Sequence, residues 1–195
     1  MFSDIRGFTT LSEHMTPEQT IAFLNRYFER IVPIIHAHGG TGVSFMGDGI
    51  MAVFGVPKPL PNPCAAAFAA AKAMLDYRKR LSVELAAGGQ RPLRIGIGLH
   101  AGIGVAGHIG AQARHEYSLI GDVTNVAARL EGVTKEVGYA LVCSRAVFEQ
   151  VGEPERLVPL GQHAIKGHSP VEIFGFDSVD AVEPANSAQQ PVGPV

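Results

Sequence analysis

Between residues 43 and 54 the chain runs apolar, breaks at Gly47-Asp48-Gly49, and runs apolar again. Asp-Gly between two short apolar runs predicts a tight β-hairpin, with strands over 43–46 and 50–54 and a carboxylate at the tip. A second aspartate, Asp4, interrupts the apolar start in Phe-Ser-Asp-Ile-Arg-Gly-Phe-Thr. Gly7 after Asp4 and Gly49 after Asp48 let a bulky ligand approach the backbone. Such settings place two carboxylates at the edge of one sheet, facing the same spot. Two hard oxygen ligands at one spot suit a hard divalent cation, and such a cation suits phosphates. Taken singly, Asp48 is equally a turn residue, and Asp4 a cap for a short helix over 8–13.

The surrounding pattern supplies the rest of a domain. Thr16, Pro17, Glu18 and Gln19 are a helix start, and Ile21, Leu24, Phe28, Ile31 and Ile35 share one helical face. The predicted helix covers 16–36, with Pro33 expected to kink it or end it early. Asn62-Pro63 opens an alanine-rich helix to about residue 85. Over 93–100, Ile95, Ile97 and Leu99 alternate with Gly96 and Gly98, a strand whose glycine face lets something pack close. A strand over 117–120 leads through Gly121-Asp122 into a helix to about residue 133. Short strands near Leu141, Val158 and Ile173, with a helix over 145–151, complete the fold.

Hairpins mixed with crossovers predict an α+β fold. The expected core is ferredoxin-like, βαββαβ, with extra C-terminal strands and a helix, and with helices packed on one face of a largely antiparallel sheet. The domain is expected over 1–178, with its first strand truncated and a disordered tail over 179–195.

With 195 residues, 46% hydrophobic and 17% charged, the chain is long and apolar enough for one globular core. A formal net charge of −2 gives no support for a nucleic-acid partner held by bulk electrostatics. Cys64 and Cys143 sit in apolar stretches as small buried hydrophobes, without a disulfide framework, as in a reducing compartment. No apolar run is long enough to cross a bilayer.

A second informative segment follows Gly121. Val123, Val126, Ala127 and Leu130 make the apolar stripe of the helix, while Asn125 and Arg129, four apart, stack on another. That polar stripe is either a solvated face or an amide and a guanidinium poised over a reacting phosphate. Lys166, in Ile165-Lys166-Gly167, is either solvated or a point-charge clamp on phosphate. Gly102 to Gly107 match GxGxxG, but residues 108–114 are expected to be a loop rather than a helix, and no acidic residue follows at the right distance. It is therefore not a dinucleotide fingerprint. His36 and His38 are too close together for one helix face and belong to a helix end rather than a metal site.

Four segments, in order, resemble the class III nucleotidyl cyclases: Phe-Ser-Asp-Ile-Arg-Gly-Phe-Thr, Phe-Met-Gly-Asp-Gly-Ile-Met-Ala-Val-Phe-Gly, Arg-His-Glu-Tyr-Ser-Leu-Ile-Gly-Asp-Val-Thr-Asn-Val-Ala-Ala-Arg-Leu-Glu and Ile-Lys-Gly. The likeness covers 1–176 and leans to the bacterial adenylate-type branch. It implies an enzyme that makes a 3′,5′-cyclic nucleotide and pyrophosphate from a nucleoside triphosphate, with two Mg2+ or Mn2+ ions per site. By the resemblance Asp4, Asp48 and the carbonyl of Ile5 hold the metals, Asn125 orients the ribose and Arg129 stabilises the α-phosphate transition state. Lys166 and Arg114 clamp the outer phosphates. The family's sites form between two chains, so a homodimer with two sites is implied, and upstream regulatory domains are compatible with it. The expected location is cytoplasmic, with a membrane tether through upstream sequence left open.

Ser44 and Ser118 stand where the family reads the base. Adenylate cyclases place lysine and aspartate or threonine there; guanylate cyclases place glutamate and cysteine. A serine hydroxyl both donates and accepts, so the pair excludes neither base. Ser118 is a mild change from threonine; Ser44 loses a charged anchor. ATP is the expected substrate, with GTP or dual use as one alternative and a non-catalytic nucleotide-binding, dimerising module as another. A diguanylate cyclase and an RNA-binding sheet both fail on residues.

Overall fold

A computed structural model describes residues 1–87, 89, 92–111, 114–151 and 154–177, with the backbone alone over 108–111, over 114–118 and at 154. Strand β1 (Phe2–Ile5) is followed by a short helix α1 (Phe8–Ser12) and the long α2 (Pro17–Ala37). The hairpin β2 (Gly40–Met46) and β3 (Gly49–Phe54) leads into α3 (Pro63–Ala87) and β4 (Ile95–Leu99). A second hairpin, β5 (Val105–Ala111) and β6 (Arg114–Ile120), precedes α4 (Asp122–Val137). The chain then forms β7 (Leu141–Ser144), α5 (Arg145–Phe148), β8 (Val158–His163) and β9 (Val171–Phe176).

Among the described residues, seven strands form one sheet in the order β2-β3-β1-β4-β7-β9-β8, while β5 and β6 pair only with each other. Within the large sheet only β4 and β7 run parallel. The order β2-β3-β1-β4 is the expected ferredoxin-like core, and β7, β9 and β8 extend it.

The helix ends carry the expected chemistry. Thr16 accepts from the Gln19 N–H while the Gln19 side chain accepts from the Thr16 N–H, a complete capping box. Asn62 caps α3 by accepting from the Ala65 N–H. Pro33 does not end α2, which runs on to Ala37. Pro33 and Glu29, whose carbonyl loses its donor, both lie on the exposed face where water can replace the bond.

One expectation about layering needs correcting. Helices α2 and α3 cover one face, where Tyr27, Ile31, Ile35, Met74 and Leu75 pack with Ile95, Ile97 and Leu99. Helix α4 lies on the other face, where Val126, Leu130 and Val133 pack with Val142, Ile165 and Ile173. The alternation along β4 explains both. Its isoleucines and leucine enter the first core, and its glycines turn towards α4. A Cβ on Gly98 would lie 2.3 Å from the Ala127 carbonyl oxygen and 2.3 Å from the Glu131 nitrogen. Only a glycine allows this backbone-to-backbone contact.

A loop was expected over 108–114; residues 108–111 instead end β5 and Arg114 begins β6. The GxGxxG run therefore passes from a strand into another strand, with no helix after it. Among the described residues no helix is long and apolar enough to cross a membrane. The tail over 179–195 lies outside the described residues.

Candidate active site

Strand β1 carries Asp4 opposite Gly96, and the tip of the β2–β3 hairpin carries Asp48. Because β3 pairs with β1 through Phe2–Met51 and Ser3–Ile50, the hairpin tip falls beside Asp4. Their carboxyls come within hydrogen-bonding reach of each other. Burial, and then the hydrogen bond and like charge of Asp4, push the Asp48 carboxyl up to about 6. The backbone N–H groups of Asp48 and Ile5 donate to it and partly oppose that rise. A Cβ on Gly49 would press on the Met46 carbonyl oxygen at 3.2 Å and make ordinary contact with Asp4 Oδ1 at 3.5 Å.

Behind the pair, Arg6 reaches across to α4. Its guanidinium lies 2.7 Å from a Glu131 carboxylate oxygen and donates to the Glu131 carbonyl at 2.7 Å and to the Thr134 hydroxyl. Burial raises the Glu131 pKa, while the Arg6 charge and hydrogen bond lower it. The chain two residues beyond Asp4 is thus tied to α4.

A separate cleft of about 190 Å3 opens between α4 and the turn joining β8 to β9. Asp122, Asn125 and Arg129 line it from the helix, and Ile165, Lys166, Gly167 and His168 from the turn. The spacing of three and four along α4 puts the helix residues on one stripe. Ile165 is buried against Val126 and Leu130, which seats the turn on the helix. The structure therefore brings Asn125, Arg129 and Lys166 together, exposed and side by side. Neither aspartate of the pair lines this cleft.

Ser44 sits on β2 opposite Met51, next to a break in register between Thr41 and Ser44. Ser118 lies on β6 opposite Gly107, and Arg114 opposite Ala111; their side chains fall outside the described atoms. Asp122 and His168 belong to the cleft but were not among the expected site residues. The sequence signal was their position, directly before the Asn125 stripe and two residues after Lys166. His36 and His38 each place Nδ1 on a backbone carbonyl, of Gly40 at 2.9 Å and Ile34 at 2.8 Å.

A larger cavity of about 320 Å3 opens at the other end of β1, lined by Met1, Phe2, Phe54, Cys64 and His100 among others. Its walls are mostly apolar, and burial lowers the pKa of His100, whose Nδ1 lies 2.8 Å from the Ser144 hydroxyl. Size notwithstanding, chemistry that handles charge belongs with the carboxylates and cations, which lie elsewhere.

Residues 1–176 match the family described as the adenylate and guanylate cyclase catalytic domain. The chain is 36% identical over 189 residues to Adenylate cyclase 1 of Rhizobium meliloti, covering 97% of this chain and 28% of that protein. It is 34% identical over 157 residues to an adenylate cyclase of Anabaena cylindrica, covering 80% of this chain and 31% of that protein. It spans about three-tenths of the length of these curated relatives. Among solved structures, the adenylyl cyclase CyaB of P. aeruginosa superposes with a TM-score of 0.79 at 34% identity, covering 89% of this chain and 90% of that one. The guanylyl cyclase Cya2 gives a TM-score of 0.78 at 32% identity, covering 95% and 92%.

Proposed function

This chain belongs to the adenylate and guanylate cyclase catalytic domain family, and from that premise we propose that it converts ATP to the 3′,5′-cyclic monophosphate and pyrophosphate at sites shared between two copies. The observation that carries this reading is the division of the polar machinery. The carboxylates sit at the β1 edge, and the amide and cations sit in the α4 cleft, with no residue in common. One half suits cations and the other suits phosphate. A two-fold dimer that sets each aspartate pair against the partner's cleft makes two whole sites from incomplete ones. Exposed apolar residues support such an interface: Phe45 and Met46 beside the hairpin tip are 54% and 51% exposed, and Ile103 and Val105 are 98% and 75% exposed.

The aspartate pair fits a divalent cation. Its donors are hard oxygens, and a dication would offset both the burial and the like charge of Asp4 that raise Asp48. Asp4, Asp48 and the Ile5 carbonyl would hold two Mg2+ or Mn2+ ions, which would supply charge neutralisation on the triphosphate and ease loss of the ribose 3′-hydroxyl proton. Asn125 hydrogen-bonds the ribose and so aims its 3′-oxygen at the α-phosphorus. The new O3′–P bond forms as the bond to the leaving pyrophosphate breaks. Arg129 faces the non-bridging α-phosphate oxygens, where charge builds in that step. Lys166 and Arg114 hold the outer phosphates until pyrophosphate departs.

Ser44 and Ser118 face the base. Their hydroxyls match adenine without an ionic anchor, and the absence of a glutamate at Ser44 removes a guanine-reading acceptor. The same uncharged pair supports a second reading, that GTP is also accepted.

Complementation tests the shared site. Asp4→Ala and Arg129→Ala should each lose at least about 100-fold in rate. Mixed in equal amounts, they should recover about a quarter of wild-type activity, since half the dimers then carry one intact site of two. Proven heterodimers that stay inactive would refute the division of labour.

A further inference from the structure

Lys166 occupies the second position of a four-residue turn, Ile165 to His168, closed by the His168 N–H donating to the Ile165 carbonyl at 3.0 Å. Gly167 holds a φ of 78°, which the third position of such a turn requires. Beyond the turn, His168 places Nε2 3.0 Å from Asp122 Oδ2, at the first residue of α4. Its Nδ1 lies 2.6 Å from the Ser169 carbonyl oxygen. Both ring nitrogens face acceptors, so both contacts are met together only by the doubly protonated ring. The turn is thus seated on one side by buried Ile165 and tied on the other to the helix that carries Asn125 and Arg129.

Resting on the cyclase reading above, we propose that His168 is a positioning residue. Its side chain latches the β8–β9 turn to Asp122 and thereby holds Lys166 in the cleft it shares with Arg129. The latch makes no contact with the reacting atoms, so its effect falls on substrate binding rather than on the chemical step. The charged groups around it are Asp122 and Arg129 on α4 and Lys166 on its own turn, with His100 at the end of β4 also sensing both His168 and Asp122.

The test is a cycle of purified variants assayed with Mn2+ and ATP. His168→Ala should raise KM about threefold with kcat held, the effect of one partly exposed ion pair. In a Lys166→Ala background the same change should do nothing further, because the latch acts only through that lysine. His168→Gln, which keeps a donor towards Asp122, should restore KM. An unchanged KM in His168→Ala, or an equal loss in the Lys166→Ala background, overturns the proposal. If the wild type turns over neither ATP nor GTP, the cyclase reading fails. The same cycle, read as affinity for α,β-methylene-ATP, then decides the latch by itself.

Discussion

Replacing Asp48 by asparagine should make the metal-free domain more stable at neutral pH while abolishing its activity. The Asp48 carboxyl is pushed up from its ordinary 3.8 to about 6, first by burial and then by Asp4. A raised carboxyl pKa means the folded chain holds a proton that the unfolded chain releases. Between about pH 4 and 6 the folded state therefore binds more protons, and stability falls as pH rises through that window. At about 1.4 kcal/mol per pH unit the full penalty is about 3 kcal/mol. The hairpin tip is open enough for solvent to screen it, so about 1 kcal/mol is the working figure. Asparagine keeps the shape and the backbone contacts without the charge. In chelator, urea unfolding should show Asp48→Asn matching wild type near pH 4 and exceeding it by about 1 kcal/mol above pH 6.5. Adding Mn2+ should raise the wild-type midpoint and leave the variant's unmoved. A variant no more stable than wild type at neutral pH, or one that still gains from Mn2+, would show that the two carboxylates do not form one repelling, cation-seeking pair.

Two further changes probe the scaffold and the base. Gly98→Ala puts a methyl group 2.3 Å from backbone atoms of α4 and should cost at least about 3 kcal/mol, read in denaturant melts, with lost activity in whatever stays folded. A melt within 0.5 kcal/mol of wild type, on the order of a surface change, would contradict the close contact. Ser44→Lys restores a charged donor for an adenine ring nitrogen and should shift kcat/KM towards ATP over GTP by about tenfold. No shift in that ratio would place Ser44 away from the base.

Much of this architecture is written in local chemistry. The Gly47-Asp48-Gly49 tip and the capping box at Thr16 need only their immediate neighbours, and both form as expected. What failed depends on partners distant in sequence. Residues 108–111, expected to be loop, show little apolar alternation; they extend a strand because β6 returns alongside. Pro33 is tolerated because its side of α2 meets solvent, a fact of packing rather than of sequence. The glycines of β4 announced a close neighbour without naming α4, so the second helical face went unseen. At the candidate site, the i,i+4 stripe of Asn125 and Arg129 was visible. The tie between His168 and Asp122 was not, since it joins residues 46 positions apart through a turn.

Where α4 meets Gly98, peptide rests on peptide. The height of the helix above the strand is then fixed by atomic radii, and no rotamer can raise or lower it. Methyl groups in the opposite core, around Ile97 and Leu99, can be exchanged over evolutionary time without that spacing changing. The cleft-lining side chains of α4 thus stay in register while the interior beneath them drifts.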